Sequence, residues 1–223
     1  MMRRKFAAVA TLLLAGSFPW QAHASTFGFS FVGPGVSGTI DLTYGTATDA
    51  KYHNAFEVTG ISGTFSDSNN GLDIVNAPIG PLEPIKHDAP DPTNLLAPHD
   101  FSRFPVASGT AHGSLSYDNL FWPDGSPQTA SSYPLHGGFL DIYGLLFDIG
   151  GGRVVDFWSN GDPSGTGVGD IYGIAVATPA TALDYVSSGV SATPEPGALG
   201  LLGSALLLGI LMWRRRASPH RSF

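Results

Sequence analysis

The sequence predicts an all-β fold: an antiparallel β-sandwich of about nine strands, flanked by an N-terminal signal helix and a C-terminal transmembrane helix. Short segments alternate between apolar and polar residues with period two, which is typical of half-buried strands. The 223 residues include 29 glycines and 17 prolines, a composition that suits turns and short strands better than helices. No amphipathic helical period of useful length occurs between the two ends, so packing sheet on sheet is the simplest way to bury the apolar faces.

The first three strands have the clearest pattern. Residues 27–31 place three phenylalanines on one face, and residues 36–44 place Val, Ile, Leu and Tyr on one face with Thr and Asp opposite. The third strand begins at Phe56, and Gly60 predicts a β-bulge that returns Ile61 and Phe65 to the core. The hydrophobic pattern therefore predicts a β-meander at the start of the domain.

The later strands are separated by turn residues. The candidate strands are residues 72–76, 113–122, 138–149, 153–159, 170–177 and 182–186. Three consecutive glycines at 150–152 predict a hairpin turn, because no helix follows them as a phosphate-binding loop would require. Residues 76–105 contain seven prolines, which predicts a long surface loop and a candidate functional region.

Charge is distributed unevenly along the chain. Seven of the eleven cations lie near the two ends, and the stretch from 25 to 193 carries four cations against seventeen carboxylates, a net charge of −13. Such an acidic domain repels phosphates and anionic lipid head groups, which argues against nucleic-acid binding. The chain has no cysteine, so disulfides, thiolate metal sites and cysteine nucleophiles are excluded.

Residues 1–24 have the features of a signal peptide. Arg3, Arg4 and Lys5 precede a short apolar stretch, and Ala22 and Ala24 fit the small-residue positions before a signal peptidase cleavage site. The apolar stretch is too short to span a bilayer, which needs about 20 residues. We therefore expect export, with cleavage by signal peptidase after Ala24.

The C-terminal region has three parts in a fixed order. Pro194, Glu195 and Pro196 precede sixteen uncharged residues at 198–213, which are followed by Arg214, Arg215 and Arg216. The apolar segment predicts a membrane helix, and basic residues remain on the cytoplasmic side, where they act as a stop-transfer signal. This orientation places residues 25–193 outside the inner membrane.

This order resembles the PEP-CTERM sorting domain of exported proteins in Gram-negative bacteria that make exopolysaccharide. The resemblance covers about residues 191–217 and implies recognition of Pro194, Glu195 and Pro196 by exosortase, a membrane transpeptidase-like enzyme. The protein would pass through a membrane-anchored intermediate and reach the cell surface or the extracellular matrix. A permanent single-pass anchor is the alternative. The motif Tyr117-Asp118-Asn119-Leu120 is also similar to ectodomains found ahead of such tags.

The predicted organisation follows from these segments. Residues 1–24 form a signal peptide, 25–190 a β-sandwich ectodomain, 191–217 the sorting or anchor segment and 218–223 a cytoplasmic tail. The expected partners are signal peptidase, exosortase and, before processing, the membrane.

No pattern of catalytic or metal-binding residues stands out. The histidines lack ligand spacing, so we expect no metal and no cofactor. Residues 67–73 suggest a calcium loop, but the EF-hand register fails and a tight Asn-Gly hairpin is favoured. Asp141, Asp148 and Asp156 lie on predicted strands and leave a glycosidase-like carboxylate pair open. We nevertheless expect a non-catalytic domain.

Two functions fit the sequence. The first is a structural or interaction role at the cell surface or in the matrix. The second is lectin-like binding of carbohydrate, such as exopolysaccharide, through exposed aromatic residues. Trp122 and Trp158 are the candidate glycan contacts, and the second hypothesis depends on their exposure.

Overall fold

The computed structural model describes residues 24–86, 93–99, 114–126, 138–161 and 171–195. These residues contain nine strands. The strands are β1 (Ser25–Gly33), β2 (Val36–Thr48), β3 (Phe56–Asp67), β4 (Ile74–Pro78), β5 (Leu120–Phe121), β6 (Leu145–Asp148), β7 (Val154–Ser159), β8 (Tyr172–Ala177) and β9 (Ala182–Pro194). A 3-10 turn at Asn69–Gly71 is the one helical element of the described residues.

The strands make one curled antiparallel sheet with the order β4-β3-β2-β1-β9-β8-β7-β6, and β5 pairs with β3. The long strand β9 joins its two halves, because residues 191–194 pair with β1 and the preceding part of β9 pairs with β8. The all-β, antiparallel prediction of about nine strands is confirmed. The two separate sheets of a sandwich are not, since β9 connects both halves in the described chain. The predicted terminal helices lie outside the described residues.

The predictions for β1 to β3 are confirmed in detail. Val36, Ile40 and Leu42 of β2 are buried and Tyr44 is partly buried, while the alternate Thr39 and Asp41 are exposed. A register shift occurs where Thr43 pairs with Gly60 and Tyr44 pairs with Val58, so the bulge lies at the predicted glycine. The alternating pattern predicts these strands well because one face of this half contacts the core and the other contacts solvent.

The predicted strands 113–122 and 138–149 are mostly wrong within the described residues. Only Leu120–Phe121 and Leu145–Asp148 are strands there, because aspartate side chains bind the neighbouring backbone instead. The N–H groups of Tyr143 and Gly144 donate to Asp141 Oδ1 at 2.8 and 3.2 Å, which makes a turn. By contrast, β6 and β7 form the predicted hairpin, and Gly150, Gly151 and Gly152 all have positive φ.

The proline-rich region 76–105 is only partly a surface loop. Its start belongs to β4, and the next residues run along β6, with Gly80 N–H donating to the Asp148 carbonyl at 2.7 Å and Glu83 N–H to the Leu146 carbonyl at 2.8 Å. Leu95 is fully buried. Proline-rich segments can therefore close the open edge of the sheet, because the residues between the prolines still supply backbone donors.

The main core lies between the two halves of the curled sheet, and aromatic rings fill it. Phe157 of β7 stacks on Tyr172 of β8 with a centroid distance of 5.3 Å and lies 5.2 Å from Phe31 of β1. Phe29 lies 4.6 Å from Phe139 and 5.6 Å from Phe157. Such ring pairs each contribute about 0.5–1.5 kcal/mol beyond the burial of their area.

A second apolar layer covers the opposite face of β6 to β8. Its buried members are Leu95, Leu115, Tyr117, Leu146, Val154, Trp158, Ala175, Ala177 and Ala182. Leu115 N–H donates to the Leu95 carbonyl at 2.7 Å, which joins two segments that contribute to this layer. Consequently every residue of β7 and β8 is buried.

Candidate functional site: the sorting segment and an acidic groove

The end of β9 carries the predicted sorting motif into the sheet. Pro194 lies opposite Phe29 of β1, and Glu195 N–H donates to the Gly28 carbonyl at 2.8 Å. Both motif residues are exposed to solvent. Pro196, the segment 198–213, the three arginines that follow it and Ala22 lie outside the described residues. Ala24 is described and directly precedes β1.

Gly28 provides the space beside the motif. A Cβ atom at position 28 would lie 2.8 Å from Asp41 Oδ1 and 3.8 Å from Glu195 Oε2. Asp41, Gly28 and Glu195 therefore lie side by side across β2, β1 and the extension of β9. Two acidic side chains thus flank one glycine at an exposed part of the sheet.

An acidic groove of about 820 Å³ lies where β3, the segment 79–85 and residues 118–120 meet. Four acidic side chains line it: Asp49, Glu57, Glu83 and Asp118. The apolar lining residues are Val58, Ile61, Ile79, Leu82, Ile85 and Leu120. Among the described lining residues, His99 is the only side chain that can become positively charged. The excess of acidic side chains in the lining disfavours anionic ligands.

Asn119 holds this region together through all of its polar groups. Its backbone N–H donates to the Gly144 carbonyl at 2.9 Å, and its own carbonyl accepts from Val58 N–H at 3.1 Å. Its side-chain Nδ2 donates to the Glu83 carbonyl at 2.8 Å, and Oδ1 accepts from Leu146 N–H at 2.9 Å. Asn119 thereby connects β3, β6 and the segment 79–85. Its φ of 54° lies in the left-handed region, which asparagine tolerates better than most residues.

Asp118 and Asp141 form a buried carboxyl pair next to Asn119. Asp118 Oδ1 accepts from Leu120 N–H at 3.1 Å, whereas the Oδ2 atoms of Asp118 and Asp141 have no hydrogen-bond partner among the described residues. Burial raises the pKa of Asp118 well above its usual value, and the charge of Asp141 raises it further. Burial also raises the pKa of Asp141, although N–H donors at Gly144 and Tyr143 oppose that shift. Burial therefore favours the protonated form of both carboxyl groups.

Asp156 is the third buried carboxyl group of this half. It is 3 % exposed, and its Oδ1 has no hydrogen-bond partner among the described residues. Burial raises its pKa well above the usual value, and the charge of Asp141 adds to this effect. The nearby Tyr117 hydroxyl donates to the Pro84 carbonyl at 3.0 Å, and burial raises its pKa to about 12. Asp141 and Asp156 lack the access to solvent that a glycosidase pair requires, and Asp148 accepts from Gly150 N–H in the β6–β7 turn.

Both candidate glycan contacts are buried. Trp122 is fully buried, and Trp158 is 5 % exposed with its ring stacked on Tyr185 at 5.6 Å. Trp158 Nε1 donates to Asn160 Oδ1 at 2.9 Å, and Gly173 leaves room for the ring, since a Cβ atom there would lie 2.4 Å from Trp158 Cζ2. The glycan hypothesis therefore loses the exposed aromatic strip on which it depended.

A second polar cluster lies at the β3–β4 connection. The side chain of Asp184 accepts from Asn69 Nδ2 at 2.9 Å and from Asn70 Nδ2 at 2.7 Å. Burial raises the pKa of Asp67 to about 6, with Asp184 adding to the shift. An open cleft of about 510 Å³, lined by residues 34, 69–70 and 184–188, lies beside the cluster. The connection contains a 3-10 turn and six residues between the strands rather than a tight two-residue hairpin.

The described parts of the chain contain no three His, Asp or Glu side chains grouped closely enough to hold a metal ion. Of the five histidines between residues 25 and 193, His53 and His99 are described, whereas His87, His112 and His136 lie outside those parts. Nor does any helix in them have the length and hydropathy of a membrane span.

Sequence reasoning missed the roles of Asp118, Asn119 and Asp141. A signal was present, because Asp and Asn next to apolar residues indicate side chains that bind the backbone. Their joint burial depends on contacts between segments far apart in the chain, which periodicity does not report.

The comparison with protein families agrees with the sequence pattern at the C-terminus. The PEP-CTERM protein-sorting motif matches residues 192–216. This chain therefore contains a PEP-CTERM domain, and the motif suggests an exported protein that exosortase sorts. No curated protein and no solved structure matches the chain.

Proposed function

We propose that this PEP-CTERM protein is delivered by exosortase to the cell surface or extracellular matrix of a Gram-negative bacterium, where its β-domain has a structural or interaction role. The match at residues 192–216 is the observation that carries the proposal. In the proposed route, signal peptidase removes residues 1–24, the apolar segment 198–213 holds an intermediate in the membrane, and exosortase then acts at the motif.

A non-catalytic role for the domain is supported by the position of its acidic groups. Asp118, Asp141 and Asp156 are each less than 5 % exposed, so they contribute to the packing of the interior rather than facing a substrate. The Asp148 side chain accepts a hydrogen bond from Gly150 N–H in the β6–β7 turn. The exposed carboxylates, together with the net charge of −13, keep the domain soluble and disfavour contact with other polyanions.

The proposal is tested by replacing Pro194, Glu195 and Pro196 with alanine in cells that contain exosortase. We expect the wild-type chain to lose its C-terminal segment and the triple variant to remain full length in the membrane. Intact mass spectrometry of both termini measures this directly. Pro34→Ala, which changes an exposed proline in the β1–β2 turn, is the matched control and should be trimmed like wild type. Normal trimming of the triple variant would refute recognition through the motif.

A further inference from the structure

The sorting motif is continuous with the last strand of the ectodomain. Residues 191–194 pair in register with residues 32–29 of β1, and the Glu195 N–H bond to Gly28 continues this ladder by one more residue. The described chain therefore has no free linker between the domain and the first two motif residues.

The ladder accommodates proline without losing a hydrogen bond. Antiparallel strands alternate between hydrogen-bonded and non-hydrogen-bonded residue pairs. Since Glu195 donates to Gly28, the adjacent Phe29–Pro194 pair is of the second kind and requires no N–H from Pro194. The motif thus continues the β1–β9 ladder while its side chains stay exposed.

Recognition of an extended peptide uses the same backbone groups that a sheet edge uses. While the Glu195 N–H is bonded to Gly28, it is unavailable to an enzyme groove. On the premise of the proposed function, we infer that exosortase can act only after residues 191–195 separate from β1, so that the folded ectodomain restrains its own sorting.

The extent of this separation is limited by burial. Ala192 is partly buried against the core, and Thr193, Pro194 and Glu195 are exposed, so these positions can leave β1 at small cost. Val190 is fully buried, and its Cγ2 would lie only 2.7 Å from a Cβ atom at Gly33. Val190 and the residues of β9 that precede it therefore stay in the sheet when residues 191–195 separate from β1.

A disulfide between β1 and β9 tests the inference. Ser30 and Thr193 are register partners in a hydrogen-bonded pair, for which Cα atoms lie about 5.5 Å apart, within the range of a disulfide. The chain has no cysteine, so Ser30→Cys/Thr193→Cys can form only this disulfide within one chain. We expect the oxidised full-length chain to be trimmed at least tenfold more slowly than either single variant, and reduction to restore the rate.

A second disulfide serves as the matched control. Thr39 and Thr64 are register partners on β2 and β3, with their Oγ1 atoms 3.3 Å apart, and Thr39→Cys/Thr64→Cys leaves β9 free. This variant should be trimmed at the wild-type rate. Equal rates for both oxidised variants would overturn the inference, whether both are fast or both are slow. The proposed function fails separately, through normal trimming of the triple-alanine variant.

Discussion

The two halves of the curled sheet are built from the same kind of strand but are covered differently. In the half containing β1 to β3, one face contacts the core and the other contacts solvent, so Ile40 is buried while Thr39 is exposed. In the half containing β6 to β8, a second layer covers the outer face, and all residues of β7 are buried. Covering both faces brings carboxyl groups such as Asp156 into the interior. The alternating sequence pattern therefore predicts the strands of the first half, whereas most of the carboxyl groups with raised pKa values lie in or beside the second half.

The largest expected effect is on the free energy of unfolding, and it is measured by substituting two adjacent residues of β7 and one residue of β2. On β7, both Phe157→Ala and Trp158→Ala should lower the free energy of unfolding by about 3–5 kcal/mol, because each side chain fills one of the two layers. On β2, Thr39→Ala should change it by no more than about 0.5 kcal/mol, because the side chain is exposed. Urea unfolding followed by circular dichroism measures all three. A small effect of Trp158→Ala would show that the second layer contributes little.

Asn119 should give the next largest effect. Asn119→Ala removes two side-chain hydrogen bonds and places a less suitable residue at positive φ, so we expect a loss of about 2–4 kcal/mol in unfolding free energy. Asn119→Gly permits the same φ and separates the two causes. If the glycine variant is as stable as wild type, the side-chain bonds to Glu83 and Leu146 do not hold the closure together.

The pH dependence of stability is a smaller effect. It should arise mainly in the half that contains β6 to β8, where both faces of the sheet are covered. Asp118 and Asp156 have raised pKa values in the folded state, so the protein retains protons that the unfolded chain releases. Their stabilising contribution is complete below about pH 4, the unfolded pKa, and is lost as pH rises through the folded values. Asp67, with a pKa of about 6, loses its contribution between about pH 4 and 6.

Asp156→Asn should flatten this loss, because the amide cannot ionise. Asp73→Asn, at an exposed position of the β3–β4 connection, is the matched control for the loss of one acidic side chain. Denaturant midpoints from pH 4 to 8 provide the measurement. An unaltered profile for Asp156→Asn would exclude Asp156 as a source of the pH dependence.

The same contrast explains how far sequence reasoning reached. Phe29, Leu42 and the bulge at Gly60 were predictable because alternation and glycine are local signals. The groove and the Asp118–Asp141 pair were not predictable. They form only when residues 79–85 and 118–120 fill the gap between β3 and β6. The C-terminal motif was predictable as a linear pattern, but its pairing with β1 was not, since the mostly small residues 187–193 give no clear strand signal.

The antiparallel pairing of β1 with β9 also determines orientation. β1 begins at Ser25, and the paired part of β9 ends at Pro194, so both ends of the described fold leave from the same side. In the proposed membrane-anchored intermediate, that side would lie near the bilayer. The cleft formed by Asn69, Asn70 and Asp184 lies toward the other end of β9 and would be the part first met by a molecule approaching from outside the cell.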